Sequence, residues 1–311
     1  MKIALLGTGF GRAHAAVFAA RDDVEVIVFG RTPAALAELE ATYGFPTTTD
    51  LDSLYADPSI DLIDICLPTA LHPEHVLRGL AAGKHVLSEL PLGLDMAAAA
   101  RVVDAAAASD RQVFVDMYDR FSAANRILLD ANASGTYGPL RELELDNHTA
   151  RLWPGYDLGL DTILPDMLHG DIDLVIELLG RPAATSVAAT AGPDAGSAVH
   201  ALFSYPDAVA RCSGSSLMPH PYGSHGGYRA TFAEGVLEYA YRPGDTESIV
   251  VEHTAAGRRD IPATGPDNYT AMIEHVLACL RGEAENRITP ASVMDALELT
   301  LDVHAQVSRR P

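Results

Sequence analysis

The first eleven residues constrain the fold of this chain more than any other stretch does. Met1 to Leu6 is a short apolar run, followed by the turn Gly7-Thr8-Gly9-Phe10-Gly11 and then by a run with helical character. A buried strand, a glycine turn and a helix N-terminus form a site for a nucleotide pyrophosphate, because the helix dipole favours negative charge there and glycine lets the backbone approach phosphates closely. The sequence therefore predicts a dinucleotide site at this turn.

The glycine pattern departs from the fingerprint G-x-G-x-x-G by one residue. The third glycine would be residue 12, which is Arg12, whereas Gly11 comes one position early. The alternative interpretation is a tight strand-to-helix turn that binds no ligand. A second strand and helix follow at the distance expected of a βαβ unit, and this favours the cofactor site.

Size and charge narrow the class of protein. The 311 residues are enough for two domains, each with a core of its own, and an apolar content of 48% is typical of soluble globular proteins. The formal net charge of −20 argues against nucleic acid and anionic membranes as partners, since both need a positive surface. We expect the partner to be a small-molecule substrate.

The cysteines and the apolar runs point to the cytoplasm. No apolar run approaches the length of a membrane span, and the basic region and cleavage site of a signal peptide are lacking. Cys66, Cys212 and Cys279 are odd in number and far apart, so neither a disulfide framework nor a thiolate metal site is predicted. We expect a cytoplasmic protein with buried thiols at Cys66 and Cys279.

The end of the second predicted strand, Val24 to Phe29, bears on the choice of cofactor. An acidic residue there would accept hydrogen bonds from the ribose hydroxyls and select NAD. The chain instead has Gly30, which leaves space, and Arg31, whose guanidinium suits a 2′-phosphate. This favours NADP(H) over NAD(H); the alternative is an exposed arginine near a helix start.

Strand-like and helix-like segments alternate as far as Val113-Phe114-Val115, the pattern of a parallel, doubly wound sheet. We therefore predict a dinucleotide-binding Rossmann domain over residues 1–120. After Leu140, Leu143 and Leu145 alternate with acidic residues, which is typical of a half-buried antiparallel strand. The fold class is predicted to be α/β, with residues 121–311 forming an α+β domain that has an open, mostly antiparallel sheet.

Several motifs carry a resemblance to a known family. The runs P-T-A-L-H-P-E-H at 68–75 and A-G-K-H-V-L-S-E-L-P at 82–91 resemble the Gfo/Idh/MocA family of NAD(P)-dependent oxidoreductases, and so do residues 116–137 and Ile288-Thr289-Pro290. The resemblance covers nearly the whole chain. It implies the two domains above, hydride transfer at CH–OH or C=O groups, and a homodimer or homotetramer formed through the C-terminal sheet.

The resemblance also implies which residues bind the cofactor. Those expected to hold the pyrophosphate are Gly7, Gly9, Phe10 and Gly11. Those expected to reach the adenosine ribose or its phosphate are Arg31 and Thr32. Those expected on the nicotinamide side are Leu67, Pro68, Thr69, His72 and, as the glutamate of the family's E-K-P motif, Glu89. For His72 the alternative is a loop histidine that caps the following helix.

Two departures from the family concern proton transfer. The E-K-P lysine, which in the family hydrogen-bonds the reacting oxygen, is Leu90 here. The family also has an aspartate and, four residues later, a histidine at the start of a helix; Asp166 matches the aspartate, whereas the fourth position is Gly170 and His169 comes one residue early. The resemblance makes His169 the best candidate for proton donor or acceptor, with Asp166 orienting it. The alternative is a capping aspartate beside a buried histidine.

Lesser candidates complete the predicted site. Asp171 or Asp173 could assist His169, and Tyr118 could present its hydroxyl to the substrate or pack in the core. His220, Tyr222 and His225 lie in one glycine-containing loop, but their spacing does not require a metal, and no metal is predicted.

The sequence thus predicts an NADP(H)-dependent oxidoreductase acting on a small polar substrate such as a sugar or cyclitol. The alternative is a catalytically weak or inactive NADP(H)-binding sensor or partner protein. The missing lysine and the displaced histidine favour this alternative. A third possibility within the family is transient hydride transfer that enables glycosidic cleavage.

Overall fold

The structure is a computed structural model that describes residues 1–150, 157–192, 195–245 and 247–308. The chain divides into two compact units. The first unit comprises Met1–Tyr118 and Tyr269–Met294, and the second comprises Asp119–Asn268 and Asp295–Pro311.

The strands and helices follow in chain order. The strands are β1 (Lys2–Leu6), β2 (Glu25–Phe29), β3 (Thr47–Thr48), β4 (Leu62–Ile65), β5 (His85–Ser88), β6 (Val113–Val115), β7 (Leu140–Ala150), β8 (Ala184–Ala191), β9 (Ser197–Ser204), β10 (Val209–Met218), β11 (Ser224–Phe232), β12 (Gly235–Tyr241), β13 (Ile249–Thr254) and β14 (Gly257–Pro262). The α-helices are α1 (Gly11–Ala19), α2 (Pro33–Tyr43), α3 (Leu51–Ala56), α4 (His72–Ala81), α5 (Met96–Ala107), α6 (Ala123–Ser134), α7 (His169–Leu179), α8 (Asn268–Leu280) and α9 (Met294–Ser308).

The first unit is built on a parallel sheet in the order β3-β2-β1-β4-β5-β6. Its central strands are buried on both faces, which explains why β1 and β4 are apolar almost throughout. The direction of strand addition reverses between β1 and β4. In open α/β sheets, ligands bind outside the carboxyl ends of the strands at such a point. The predicted Rossmann fold is confirmed.

The first unit also takes in a segment from late in the chain. The sequence assigned every residue after 120 to the second domain, whereas Tyr269–Met294 groups with the first unit. The physical reason is an extension of the sheet edge at β6: the Val115 N–H donates to Ile288 O at 2.8 Å, and Asn286 donates to Val113 O at 2.9 Å.

The second unit is built on a mixed sheet in the order β14-β13-β12-β11-β7-β10-β9-β8. β7 and β10 run parallel, and the other neighbouring strands of this sheet run antiparallel. Alternate side chains such as Leu143 and Leu145 are buried in a core shared with α6 and α7. The predicted open, mostly antiparallel sheet is confirmed. None of the helices described in either unit is both long and apolar enough to cross a membrane.

Candidate functional site

The turn after β1 has the geometry of a phosphate-binding turn. Gly7 has a φ of 122°, and a Cβ added there would overlap the carbonyl oxygen of Cys66. Gly11 begins α1, where an added Cβ would lie 3.3 Å from Cys66 Cβ and 3.4 Å from Leu5 Cδ1. Around Gly9 no described atom lies within 4 Å of an added Cβ. Tight turn, helix–strand packing and open approach are the three tasks of the fingerprint glycines, so Gly11 performs the packing task one position early.

The end of β2 carries the residues predicted to reach the adenosine ribose. Arg31 and Thr32 are exposed, and the Thr32 side chain makes no capping hydrogen bond to α2. Gly30 is buried, and an added Cβ would lie 2.6 Å from Thr8 Cγ2. A side chain at position 30 would therefore require the Thr8 and Leu36 side chains to move, and the exposed guanidinium of Arg31 is the charged group here. Phe10, in that turn, is 47% exposed.

The loop after β4 contains four predicted nicotinamide residues. Pro68 is exposed, Leu67 and Thr69 are half-buried, and His72 is 1% exposed. His72 Nδ1 lies 2.8 Å from Pro91 O and Nε2 lies 2.7 Å from Leu67 O, so the ring joins this loop to the loop after β5. Burial lowers the pKa of His72, although these carbonyl contacts oppose the shift. Its predicted contact with a cofactor stays a prediction.

Four titratable side chains meet beneath the carboxyl ends of β4, β5 and β6. His14, in α1, places Nδ1 2.8 Å from Asp64 Oδ2 and Nε2 2.9 Å from Asp116 Oδ2. Glu89 Oε1 lies 3.7 Å from the same Nε2. The side chains of His14, Asp64 and Asp116 are fully buried, and that of Glu89 is 12% exposed. We call these four residues the histidine–carboxylate cluster.

The charges of this cluster shift one another's protonation. Burial alone would lower the pKa of His14, but the charge of Asp64 and the hydrogen bonds to Asp116 and Asp64 outweigh it and raise the pKa well above its usual value. Burial raises the pKa of Asp116, and burial together with the charge of Asp116 raises that of Glu89 to about 8. Both shifts favour the protonated forms, imidazolium at His14 and a neutral carboxyl group at Glu89.

Two carboxyl oxygens of the cluster have no hydrogen-bond partner in the described part of the chain, Glu89 Oε1 and Asp116 Oδ1. The other oxygen of Glu89 accepts a hydrogen bond from the Leu90 N–H at 3.2 Å. Leu90 itself is half-buried and has no group that titrates. The position of the family's lysine is thus adjacent in sequence to a buried carboxyl group with spare hydrogen-bonding capacity.

A metal ion fits this cluster poorly. His14, Cys66 and Glu89 offer ligand atoms within 4.8 Å of one another. The Cys66 Sγ, however, lies 3.5 Å from Nδ1 of the ring, whereas Glu89 lies beside Nε2. Both nitrogens also lie within hydrogen-bonding distance of a carboxylate, and a metal needs one ring nitrogen with a free lone pair. The arrangement is that of an ion-pair cluster.

In the second unit, His169 is fully buried at the start of α7. A π-helical turn, Leu164–Leu168, precedes it, so the α-helical spacing expected between Asp166 and His169 does not apply; Asp166 is exposed. Thr300 donates its hydroxyl proton to Ala296 O, so at 2.8 Å it accepts from His169 Nδ1. His169 Nε2 has no partner among the described residues. Burial lowers the pKa of His169 to about 4.

A buried ion pair lies one helical turn beyond His169. Arg120 donates two hydrogen bonds to Asp173, from Nε to Oδ2 at 2.7 Å and from Nη2 to Oδ1 at 2.6 Å. Their side chains are 9% and 1% exposed. Burial lowers the pKa of His169 most strongly. The Asp173 charge raises this pKa and the Arg120 charge lowers it, so the two charges of the ion pair oppose each other. The proton-transfer roles predicted for His169 and Asp166 stay predictions.

Carboxyl groups flank the position where the family has its histidine. A Cβ added at Gly170 would overlap Asp119 Oδ2. Burial, and then the charge of Asp119, raise the pKa of the neighbouring Asp171 to about 8, while a hydrogen bond from Asn147 opposes the shift. The space that a side chain at position 170 would need is therefore taken by Asp119.

The predicted aromatic residues are found in ring contacts. Tyr118 is half-buried and stacks on Tyr269 with ring centroids 4.6 Å apart, and Tyr269 lies 5.8 Å from the ring of His14. Tyr222 and His225 stack on each other at 4.0 Å. A catalytic role for the Tyr118 hydroxyl stays a prediction.

Sequence reasoning missed three members of the histidine–carboxylate cluster: His14, Asp64 and Asp116. A signal was present for the acids, because Asp64 interrupts the apolar run of β4 and Asp116 directly follows β6. An acidic residue within a strand buried on both faces needs a partner, so the position of Asp64 already predicts a buried polar contact.

Comparison with known families and proteins gives one family model and several partial relatives. A family model, GFO_IDH_MocA, described as an oxidoreductase family with an NAD-binding Rossmann fold, matches residues 1–117. A 4-carboxy-2-hydroxymuconate-6-semialdehyde dehydrogenase from Sphingobium sp. is 31% identical over 138 residues, which are 43% of this chain and 44% of the relative. An inositol 2-dehydrogenase from Rhizobium meliloti is 27% identical over 194 residues, 61% of this chain and 58% of the relative. The matched segments span about half the length of these two relatives.

Solved structures show the fold over the whole chain. A levoglucosan dehydrogenase in complex with NADH and levoglucosan has a TM-score of 0.83 at 19% identity, covering 99% of this chain and 97% of that one. An oxidoreductase from Agrobacterium radiobacter, solved with NAD⁺, L-tartaric acid and magnesium, has a TM-score of 0.82 at 16% identity, covering 99% and 96%. Together with the family model, these findings confirm the resemblance seen in the sequence. Over residues 1–117, the chain matches the model of this oxidoreductase family.

Proposed function

We propose that this protein is an NADP(H)-dependent oxidoreductase that transfers a hydride between nicotinamide and a carbonyl or alcohol carbon of a small polar substrate. The observation that carries the proposal is the glycine turn, in which Gly7 and Gly11 pack against Cys66, directly after β4, and Gly9 faces open space. The relatives named for inositol and levoglucosan support a sugar or cyclitol as the substrate class.

The residues present fit a dinucleotide. When bound, the cofactor supplies or accepts the hydride. We assign the pyrophosphate to the N–H groups around Gly9 at the start of α1, where the helix dipole favours negative charge. The remaining contacts are assigned to Phe10, Arg31, Thr32, Leu67, Pro68, Thr69, His72 and Glu89.

The preference for NADP(H) rests on the end of β2. Arg31 is exposed there, no acidic residue follows the strand, and Gly30 packs closely against the Thr8 and Leu36 side chains. A guanidinium can bind a 2′-phosphate through two hydrogen bonds, whereas NAD offers it only hydroxyl groups. Two structurally similar proteins were solved with NADH or NAD⁺, so the preference needs a direct comparison.

Calorimetry with NADPH and NADH tests both binding and preference. We expect NADPH to bind more tightly, and Arg31→Ala to weaken NADPH about tenfold or more while leaving NADH nearly unchanged. Arg101→Ala, on the exposed face of α5, is the matched control. Equal affinities for the two nucleotides would contradict the preference, and the absence of binding to either would contradict the proposed function.

Turnover is tested with a panel of polyols and keto-sugars, following NADP(H) absorbance. His169 is the residue for which the sequence predicts proton transfer, and with a pKa of about 4 its ring is neutral at pH 7. His169→Gln keeps one hydrogen-bond donor and acceptor but cannot take up a proton. Tight cofactor binding without turnover of any substrate would favour the sensor or partner role instead.

We also propose a homodimer or homotetramer formed through the open face of the second unit's sheet. On that face Leu202 of β9 is 41% exposed. Light scattering of the wild type and of Leu202→Glu tests the proposal; a monomeric wild type would contradict it.

A further inference from the structure

The missing lysine leaves a gap in the proposed reaction. Leu90 has no proton to give, yet reduction of a carbonyl group needs one for the product oxygen. We propose that Glu89, the residue directly before Leu90, gives that proton in reduction and takes it back in oxidation, with the His14 ring 3.7 Å from its Oε1. This inference rests on the proposed function.

The composition of the histidine–carboxylate cluster requires it to hold an extra proton. Three carboxylates and one imidazolium would carry two net negative charges in a space where three of the four side chains have no exposure. Uncompensated charge buried from water is costly, and binding one proton to a carboxylate removes half of this excess. The cluster is therefore a store for a proton at neutral pH.

Hydrogen bonding identifies the carboxyl group that carries the proton. Asp64 and Asp116 each accept a hydrogen bond from His14, at 2.8 and 2.9 Å, and this stabilises their charged forms. Glu89 lies 3.7 Å from the ring, and its Oε1 has no partner among the described residues. A pKa of about 8 for Glu89 agrees with this assignment.

Glu89 is also the member of the cluster that can exchange its proton. Its side chain is 12% exposed, and it follows β5, at the edge where ligands of doubly wound sheets bind. The groups that face the cluster from the surrounding elements are the Cys66 thiol after β4, which stays protonated, and the Tyr269 ring of α8. The pKa of the Cys66 thiol is raised well above its usual value by burial, so the thiol adds no charge.

The step balances without a further reactant. In reduction the substrate's carbonyl carbon gains a hydride, the C=O π pair moves onto the oxygen, and the Glu89 O–H bond breaks as its proton joins that oxygen. Glu89 becomes a carboxylate, stabilised by the nearby His14 imidazolium, and regains a proton from solvent. In oxidation the Glu89 carboxylate takes the hydroxyl proton of the substrate as the hydride leaves.

Infrared spectroscopy tests the protonated state independently of activity. The wild type minus Glu89→Gln difference spectrum is expected to show the carbonyl stretch of a protonated carboxyl group at pH 7, and this band should disappear as the pH rises through about 8. Glu40→Gln, at an exposed position of α2, is the control. The spectrum of this variant should still contain the band at pH 7. A difference spectrum without the band at pH 7 would overturn the proposal.

Kinetics tests the transfer step. We expect Glu89→Gln to lower kcat about 100-fold and to flatten its pH dependence, without a comparable rise in the Kd for NADPH. An unchanged kcat, with or without weaker NADPH binding, would overturn the transfer step alone. A wild type that binds NADPH but turns over no substrate would overturn the transfer step and the proposed function together.

Discussion

Among the described residues, each unit contains one histidine with 0% exposure, and the pKa values of these two rings shift in opposite directions. His14 in the first unit lies between Asp64 and Asp116, and its pKa is raised well above the usual value. His169 in the second unit contacts the hydroxyl of Thr300, and its pKa is lowered to about 4. Equal burial therefore has opposite outcomes. The nearest partner of a buried imidazole, and not its depth of burial alone, therefore sets the direction in which its pKa shifts.

The comparison is sharper because a carboxylate also lies near His169. Asp173 follows one turn later on α7, but it is bound by Arg120 through two hydrogen bonds. The first unit has no such cation beside Asp64 or Asp116 among the described residues, so there the imidazole itself serves as the counterion.

The largest effect is expected from Arg120→Met. The substitution leaves Asp173 buried without its partner, which should cost about 3–5 kcal/mol in the free energy of unfolding. It should also raise the pKa of His169, making this ring resemble His14. Chemical denaturation and an NMR titration of the histidine rings measure the two effects.

The control for this experiment is Arg120→Met combined with Asp173→Asn. Without the carboxylate, the pKa of His169 should stay low and part of the stability should return. If the single variant left the His169 titration unchanged, the account of the ion pair would be wrong.

A smaller effect is expected in the pH dependence of stability. The folded-state pKa of Glu89 is about 8 against an ordinary 4.5, so its contribution to stability is fully present below pH 4.5 and is lost as the pH rises through about 8. Glu89→Gln should reduce the loss of unfolding free energy between these pH values. Asp171, also raised to about 8, contributes with the same sign in the second unit.

Urea denaturation across this pH range checks the prediction, with Asp171→Asn as the comparison from the other unit. Each substitution should flatten part of the slope. A slope that Glu89→Gln leaves unchanged would show that the carboxyl group is already ionised at pH 7.

The smallest effect is expected from Thr300→Val. The change removes the acceptor for His169 Nδ1 and should cost about 1 kcal/mol in the free energy of unfolding, since a neutral buried donor loses its partner. The exposed Thr264→Val serves as the control. A cost as large as that of Arg120→Met would mean that His169 carries charge in the folded protein.

The fold could be predicted from the sequence because its signals are local. The apolar run of β1, its glycine turn and the strand–helix alternation all act over short distances, and the structure has them. The shift of one position at Gly11 did not mislead, since its packing task is met from either position.

The candidate site could be predicted only in part, because its contacts are distant in the sequence. His14 meets Asp64 and Asp116, 50 and 102 positions away. The π-helical turn Leu164–Leu168 also altered a face that α-helical periodicity had predicted. Pairing between remote polar residues leaves no periodic pattern along the chain, so the histidine–carboxylate cluster was found only in the folded structure.

The return of Tyr269–Met294 to the first unit has a consequence for synthesis on the ribosome. The hydrogen bond from the Val115 N–H, at the end of β6, cannot form until Ile288 has been synthesised, because Ile288 supplies the acceptor carbonyl. Translation of the intervening stretch takes on the order of ten seconds or more, so the nascent nucleotide-binding half must persist unfinished during that time. A fragment that ends at residue 120 would leave backbone groups of the β6 edge unpaired, and such an edge is prone to aggregation.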